Sequence, residues 1–224
     1  MKRKKRIGTV GKAIGCLFFL MVSLFPIYWL VAMAIRPTDE MRGHIALIPQ
    51  SLTGIHLAEL FSAKNFGTAI INSLQTTFGS LFVSLVVGIC AAYIIARRRF
   101  RFGLKKPMTS WVLLVRVLPP VAFTIPLYIM FNKLGILNTK LPVLLACVLI
   151  NVPLIIWFLI SFFQDLPEEV EESAKVDGAT EWQLFCRIVL PLVAPGIAAV
   201  AMLSFMYAWN EYTYTVIFTR TAVN

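Results

Sequence analysis

The residue types that usually carry chemistry are few in this chain and badly spaced for catalysis. Cys16, Cys90, Cys147 and Cys186 stand far apart in or beside apolar stretches, with no paired spacing for a metal or a redox couple. They read as packing thiols. His44 and His56 have no cysteine or carboxylate company that would make a metal site. No GxxxxGK[ST] loop is present to cradle a phosphate. The one dense group of carboxylates is Asp165, Glu168, Glu169, Glu171, Glu172, Asp177 and Glu181. Nothing around it suggests a pocket in which one carboxyl could be a general acid and another a base. A solvated carboxylate cluster of this kind suits charge-complementary docking, and the alternative is a simple acidic loop at a membrane surface.

The elements that must position this cluster are apolar. Of 224 residues, 58% are hydrophobic and 14% are charged, against about 25% charged in an ordinary soluble domain. The mean hydropathy is +0.79. Long apolar blocks run over residues 13–35, 65–96, 108–131, 141–163 and 194–218, uncharged except for Arg116 in the third and Glu211 in the fifth. At roughly 20 residues per crossing, these predict an all-α integral membrane protein with about five spans. The first block is longer than the roughly 7–15 residues of a signal-peptide core, so it reads as a first membrane helix. Residues 1–35 then form a basic N-terminus and first span, 36–67 a mixed loop outside the membrane with room for one short helix, and 68–224 a helical core.

The net charge of +10 follows the same pattern. Basic residues flank the hydrophobic blocks, and no basic face or aromatic-basic motif for nucleic acid appears. With the N-terminus inside, fourteen basic residues fall on the inner side and six on the outer. That bias places the N-terminus and the acidic segment in the cytoplasm, with membrane lipid as the solvent of the spans.

Within the spans, polar residues mark candidate pathway or helix-contact positions. These are Arg116, Asn72, Gln75, Asn210 and Glu211. Arg116 would face protein, water or the interface, because a charge at the centre of a span costs at least about 2.5 kcal/mol. Hydrogen bonding between helices is the commoner fate of Asn72 and Gln75.

The stretch from Asp165 to Pro191 is the most informative. Pro167 suits a helix start, and the glutamates after it favour the positive end of the helix dipole. Val170, Ala174 and Gly178 repeat at four-residue spacing and share one small face. Gly178 suits a left-handed stop. Thr180 and Gln183 then form a T-x-x-Q capping box for a second, more apolar helix, which Pro191 is expected to end or kink.

Glu172-Ser173-Ala174, then Gly178, then Ile188-Val189-Leu190-Pro191 resembles the E-A-A-x3-G-x9-I-x-L-P motif of binding-protein-dependent ABC importer permeases, with Ser173 where alanine is usual. Asp177-Gly178-Ala179, Leu166-Pro167-Glu168-Glu169, Pro126-Leu127-Tyr128 with Leu134-Gly135, and Trp209-Asn210-Glu211-Tyr212 are similar to the carbohydrate type. The likeness is especially to the smaller, second permease of maltose-type systems. The resemblance implies the type I ABC importer fold in a bacterial inner membrane. Its implied partners are a second permease subunit, two ATP-binding subunits and an extracytoplasmic solute-binding protein.

The same resemblance implies that this chain is not an enzyme and holds no cofactor, with ATP and Mg on the partner ATPase. Glu168, Glu169, Glu172, Ser173, Ala174, Asp177, Gly178 and Ala179 would form the coupling helix and its corner, with Glu172 paired to a basic group of the ATPase. Ala174 and Gly178 would allow close docking. Ile188, Leu190 and Pro191 would anchor the segment to the bundle. Such permeases normally have a sixth span, which is expected to be missing here. The expected cargo is a sugar or sugar-like solute, with another small solute, or an assembly-only role, as the alternatives.

Overall fold

The computed structural model describes residues 2–42, 46–62, 66–97, 107, 110–112, 114, 117 and 119–219. All its described elements are helices, in two compact units, residues 1–67 and 68–224.

In the first unit, α1 (Lys2–Ala34) continues through Pro26 as one long helix. Most of its large apolar residues from Ile14 to Val31 are exposed, with Phe19 72% and Leu30 71% accessible, as expected for a surface that meets lipid. The mixed segment beyond it carries two short helices where one was expected, α2 (Thr38–Met41) and α3 (Ile55–Ser62). Arg36 organises the segment. It is 1% exposed, donates to the Ala46 carbonyl at 2.6 Å and lies 5.9 Å from the Trp29 ring centroid. Its Nε stands 3.8 Å from Glu40, an ion pair too long for a hydrogen bond. Glu40 in turn accepts from the Ser51 backbone and hydroxyl and from the Gln50 backbone.

The second unit is built on three long helices. Most of α4 (Phe66–Arg97) belongs to it; after a short 3₁₀ turn (Pro120–Phe123) come α5 (Thr124–Lys133) and α6 (Leu141–Gln164). The acidic helix α7 (Glu168–Val176) and the single-turn α8 (Glu181–Leu184) precede a wider π-turn (Phe185–Val189), α9 (Leu190–Trp209) and α10 (Thr213–Phe218).

Helix α4 packs through a stripe of small residues, Thr77, Ser80, Ser84, Gly88 and Ala92, all buried. In lipid there is little hydrophobic force between helices, so close backbone approach supplies the contact energy. At Gly88 a Cβ would meet Ile155 of α6 at 2.6 Å, and at Gly196 of α9 one would meet the Phe162 ring at 2.6 Å. An added methyl at either place would force the helices apart, an overpacking penalty of about 1–3 kcal/mol. Asn151, in the middle of α6, is wholly buried with neither amide atom hydrogen-bonded.

Among the described residues, four helices are long and apolar enough to cross a membrane: Lys12–Ala34, Phe66–Arg97, Leu141–Gln164 and Glu181–Trp209. The third hydrophobic block of the sequence is not among them; six of its residues, Arg116 among them, lie outside the described residues. Its described end is the 3₁₀ turn at Pro119-Pro120 followed by α5.

The last span differs from expectation at both ends. It begins at Glu181, continues through Pro191 and Pro195, and stops at Trp209 instead of Phe218. Pro191 sits in the first turn of α9, directly after the π-turn. That turn has already displaced the regular hydrogen-bond ladder, so the donor missing from proline neither ends nor breaks the helix. At the outer end, Asn210-Glu211-Tyr212 interrupts the helix and α10 starts anew.

Candidate functional site: the acidic arm between two membrane helices

The arm leaves α6 at Gln164 and returns to the bundle at α9. Pro167, extended at φ −60° and ψ 134°, sets the entry, and Glu168, Glu169 and Glu171 occupy the first turn of α7, where the helix dipole favours anions. The helix stops at Asp177. Gly178 follows at φ +81°, in the left-handed region that a residue with a Cβ enters at a cost of about 1–2 kcal/mol. The turn closes by Ala179 N–H donating to the Ala174 carbonyl at 3.0 Å.

The capping box expected from the sequence is formed. Gln183 N–H donates to the Thr180 hydroxyl at 3.2 Å, and Thr180 N–H donates to the Gln183 side chain at 2.9 Å. Such a cap contributes about 1 kcal/mol, and here it fixes the direction in which the chain leaves the glycine corner.

The two faces of α7 are unlike. Glu168, Glu169, Glu172, Ser173 and Asp177 are exposed, and so is Gly178. Ala174 is 6% exposed and joins the apolar cluster of Phe163, Leu184 and Phe185. The small face therefore turns at Ala174 toward this chain's own bundle. The small side chain of Ala174 lets α7 lie close to the returning segment, and Ala174 is not part of the surface left open to a partner, whereas Gly178 is. Ile188 and Leu190 are half-buried against the same cluster, Ala179 is half-buried beside it, and Pro191 is exposed.

Two groups absent from the sequence reading complete the arm. Arg97, the last residue of α4, places Nε 2.9 Å from Glu171 Oε1, an ion pair whose alignment falls short of a hydrogen bond. It also donates from Nη2 to the Leu166 carbonyl at 2.6 Å. Tyr93, one turn earlier, packs on Phe185 at 4.8 Å and on Phe163 at 5.5 Å between ring centroids. These groups border a cleft of about 660 Å³ that also meets Cys90, Lys175 and the exposed Trp182. Lys175 and Glu181 pair at 3.0 Å on its open rim. Long-range pairing leaves no periodic trace, so the Arg97–Glu171 contact was invisible in a single sequence.

The described pathway candidates, Asn72, Gln75, Asn210 and Glu211, lie at the opposite end of the bundle, and Arg116 falls outside the described residues. Asn72 and Glu211, with Thr76 and Trp209, border a small cleft of about 180 Å³. Gln75 accepts from Lys140 at 2.5 Å. The Glu211 carboxylate receives the backbone N–H groups of Tyr214 and Thr215 and so caps α10. Asn210 donates back to the Met206 carbonyl at 2.7 Å. Among the described residues, no group of three or more histidine, cysteine or acidic side chains is placed to hold a metal ion.

Four helices long and apolar enough to cross a membrane, among the described residues, define a multi-pass helical membrane protein. The family described as binding-protein-dependent transport system inner membrane component matches residues 84–221. The chain belongs to that family: it is a transport permease.

Its relatives include the trehalose transport system permease protein SugB of Mycobacterium tuberculosis, 31% identical over 89% of this chain and 72% of that protein. The diacetylchitobiose uptake system permease protein DasC of Streptomyces coelicolor is 30% identical over 98% of this chain and 79% of that one. The fold matches a chain in a crystal structure of a bacterial ABC transporter involved in the import of the acidic polysaccharide alginate. The TM-score is 0.80 at 22% identity, over 98% of this chain and 76% of that chain. The relatives are permeases, not enzymes, and the fold is that of a type I ABC importer membrane domain.

Proposed function

We infer that this permease carries a sugar or sugar-like solute inward, and that the acidic arm is its coupling element. In this reading Glu168, Glu169, Glu172, Ser173 and Asp177 present the docking face, and Glu172 pairs with a basic residue of an ATP-binding subunit. ATP and Mg are bound there and not here. A second permease completes the pore, two ATP-binding subunits drive it, and a solute-binding protein delivers cargo from outside. The N-terminus is cytoplasmic and residues 36–67 are extracytoplasmic. The observation that carries this reading is the exposed acidic face of α7 on an arm whose other face is built into the bundle. Its cargo rests on the relatives, whose names specify trehalose and diacetylchitobiose.

The test is co-purification of the assembled transporter from membranes. Glu172→Lys and Gly178→Val should release the ATP-binding subunits and leave membrane insertion intact. Retained ATPase together with normal uptake in both variants would remove the docking assignment. Uptake of labelled oligosaccharides against amino acids and oligopeptides, by the intact system, tests the cargo.

A further inference from the structure

We propose that Arg97 is a positioning residue that fastens the coupling arm to the inner end of α4, so that a displacement of the arm moves this membrane helix with it. The inference rests on the reading of α7 as the docking helix. It adds a device which neither the motif nor the family match assigns.

Four observations support it. The guanidinium reaches two points of the arm at once, the Glu171 carboxylate and the Leu166 carbonyl, on either side of the Pro167 entry. Both side chains of the pair are largely buried, 10% and 15% exposed, so water screens the contact far less than it would a surface pair. Glu171 is the acidic residue of α7 turned inward, whereas Glu168, Glu169 and Glu172 are exposed. The two roles, tie and docking face, thus fall to different residues of one short helix. A second attachment lies one turn away, where Tyr93 packs on Phe185 at the start of the π-turn. With a polar strap before the glycine corner and an aromatic one after it, α4 grips both limbs of the arm. A pull applied at the exposed face is then delivered to a helix distant in sequence as well as to α6 and α9, which the arm joins directly.

The experiment uses the complete transporter, both permeases with the ATP-binding subunits, in proteoliposomes with its binding protein. Arg97→Ala and Glu171→Ala should each retain the ATP-binding subunits and ATP hydrolysis. Each should lower solute imported per ATP by roughly tenfold, within the range that site-to-site coupling commonly carries. Arg97→Lys should fall between, since lysine keeps the charge but loses the second donor direction. Arg97→Cys with Glu171→Cys, in a background without the native cysteines, should show the same loss. Bridging the pair with a bis-methanethiosulfonate reagent should restore the ratio, which separates a mechanical tie from a folding defect.

An unchanged import-to-ATP ratio in the single variants, or inhibition on bridging, overturns the proposal. Loss of the ATP-binding subunits from the Arg97 variant also overturns it, because the residue would then belong to docking. Failure of the docking reading itself is seen separately, as retained ATPase and normal uptake in Glu172→Lys.

Discussion

At the scale of single residues, Gly178 shows how one position can satisfy two explanations that experiment can separate. The motif implies that glycine is needed there because a larger side chain would hold the partner away. The structure supplies a second reason inside the chain: the backbone sits at φ +81°, while a Cβ built there meets nothing within 4 Å. If conformation decides, the order of tolerance follows the left-handed preference of each residue. Asparagine is the mildest replacement, alanine is intermediate at about 1–2 kcal/mol, and valine is the worst because it is β-branched. Uptake in the series Gly178→Asn, Gly178→Ala and Gly178→Val should fall in that order. An asparagine variant as defective as valine would instead place the constraint on the partner's surface. The glycine corner was legible from spacing alone; which of its neighbours face inward was not. Ala174 and Gly178 share a face of the pattern, yet only Ala174 is covered, since burial depends on α4, α6 and α9 packing around it.

At the scale of elements, the sequence disclosed those with a local cause and missed those with a remote one. The Thr180–Gln183 box, the Pro167 start and the long apolar helices are consequences of neighbours a few residues apart, and they form as expected. Pro191 does not end the helix as it could have, because a π-turn precedes it, and Phe185 and Val189 of that turn are packed into the bundle. The segment after α1 is another example, since its order comes from contacts about ten residues apart. Glu40 carries much of that order. Its carboxyl is held below the ordinary value of 4.5, first by the Ser51 hydroxyl, then by the Gln50 and Ser51 N–H groups and Arg36, with burial opposing.

The sign of the pH effect follows from that depression. A carboxylate with a lowered native pKa adds its stabilisation in full above its ordinary value and loses it as pH falls through the native value. Hydrogen-exchange protection of the Gln50 and Ser51 amides should therefore be constant from pH 7 to about 5 and fall on further acidification, below the ordinary carboxylate range. Glu40→Gln should be weakly protected throughout and show no step. A step of equal size in the glutamine variant would assign the transition to another group.

At the scale of the whole second unit, the helix contacts fix a topology that hydropathy alone left to counting. Gly79 approaches Leu144 and Gly88 approaches Ile155, so α4 and α6 run in the same direction. Tyr93 against Phe163 and Arg97 against Leu166 extend that register to their C-terminal ends. Two parallel helices of 32 and 24 residues, joined by the chain from 98 to 140, require the intervening chain to return across the bundle. At 1.5 Å per residue, α6 alone is about 36 Å long, enough to cross a bilayer core of about 30 Å. A return crossing is thus demanded by the geometry on its two sides; six residues of the third hydrophobic block, Arg116 among them, lie outside the described residues.

The same register puts the end of α4 and the acidic arm on one side of the membrane, and the turn before Leu141 on the other. Sidedness can be measured with an impermeant thiol reagent on single-cysteine variants made in a background without Cys16, Cys90, Cys147 and Cys186. Glu172→Cys should react only in inverted vesicles, and Thr139→Cys should react from outside intact cells. The pair is informative because the two positions are tied to opposite ends of α6. Labelling of both from one side would contradict the parallel packing, whereas exchange of the two sides would keep the packing and reverse the insertion. The excess of basic residues in the N-terminal head and the 97–106 loop argues for the first orientation, with the arm inside.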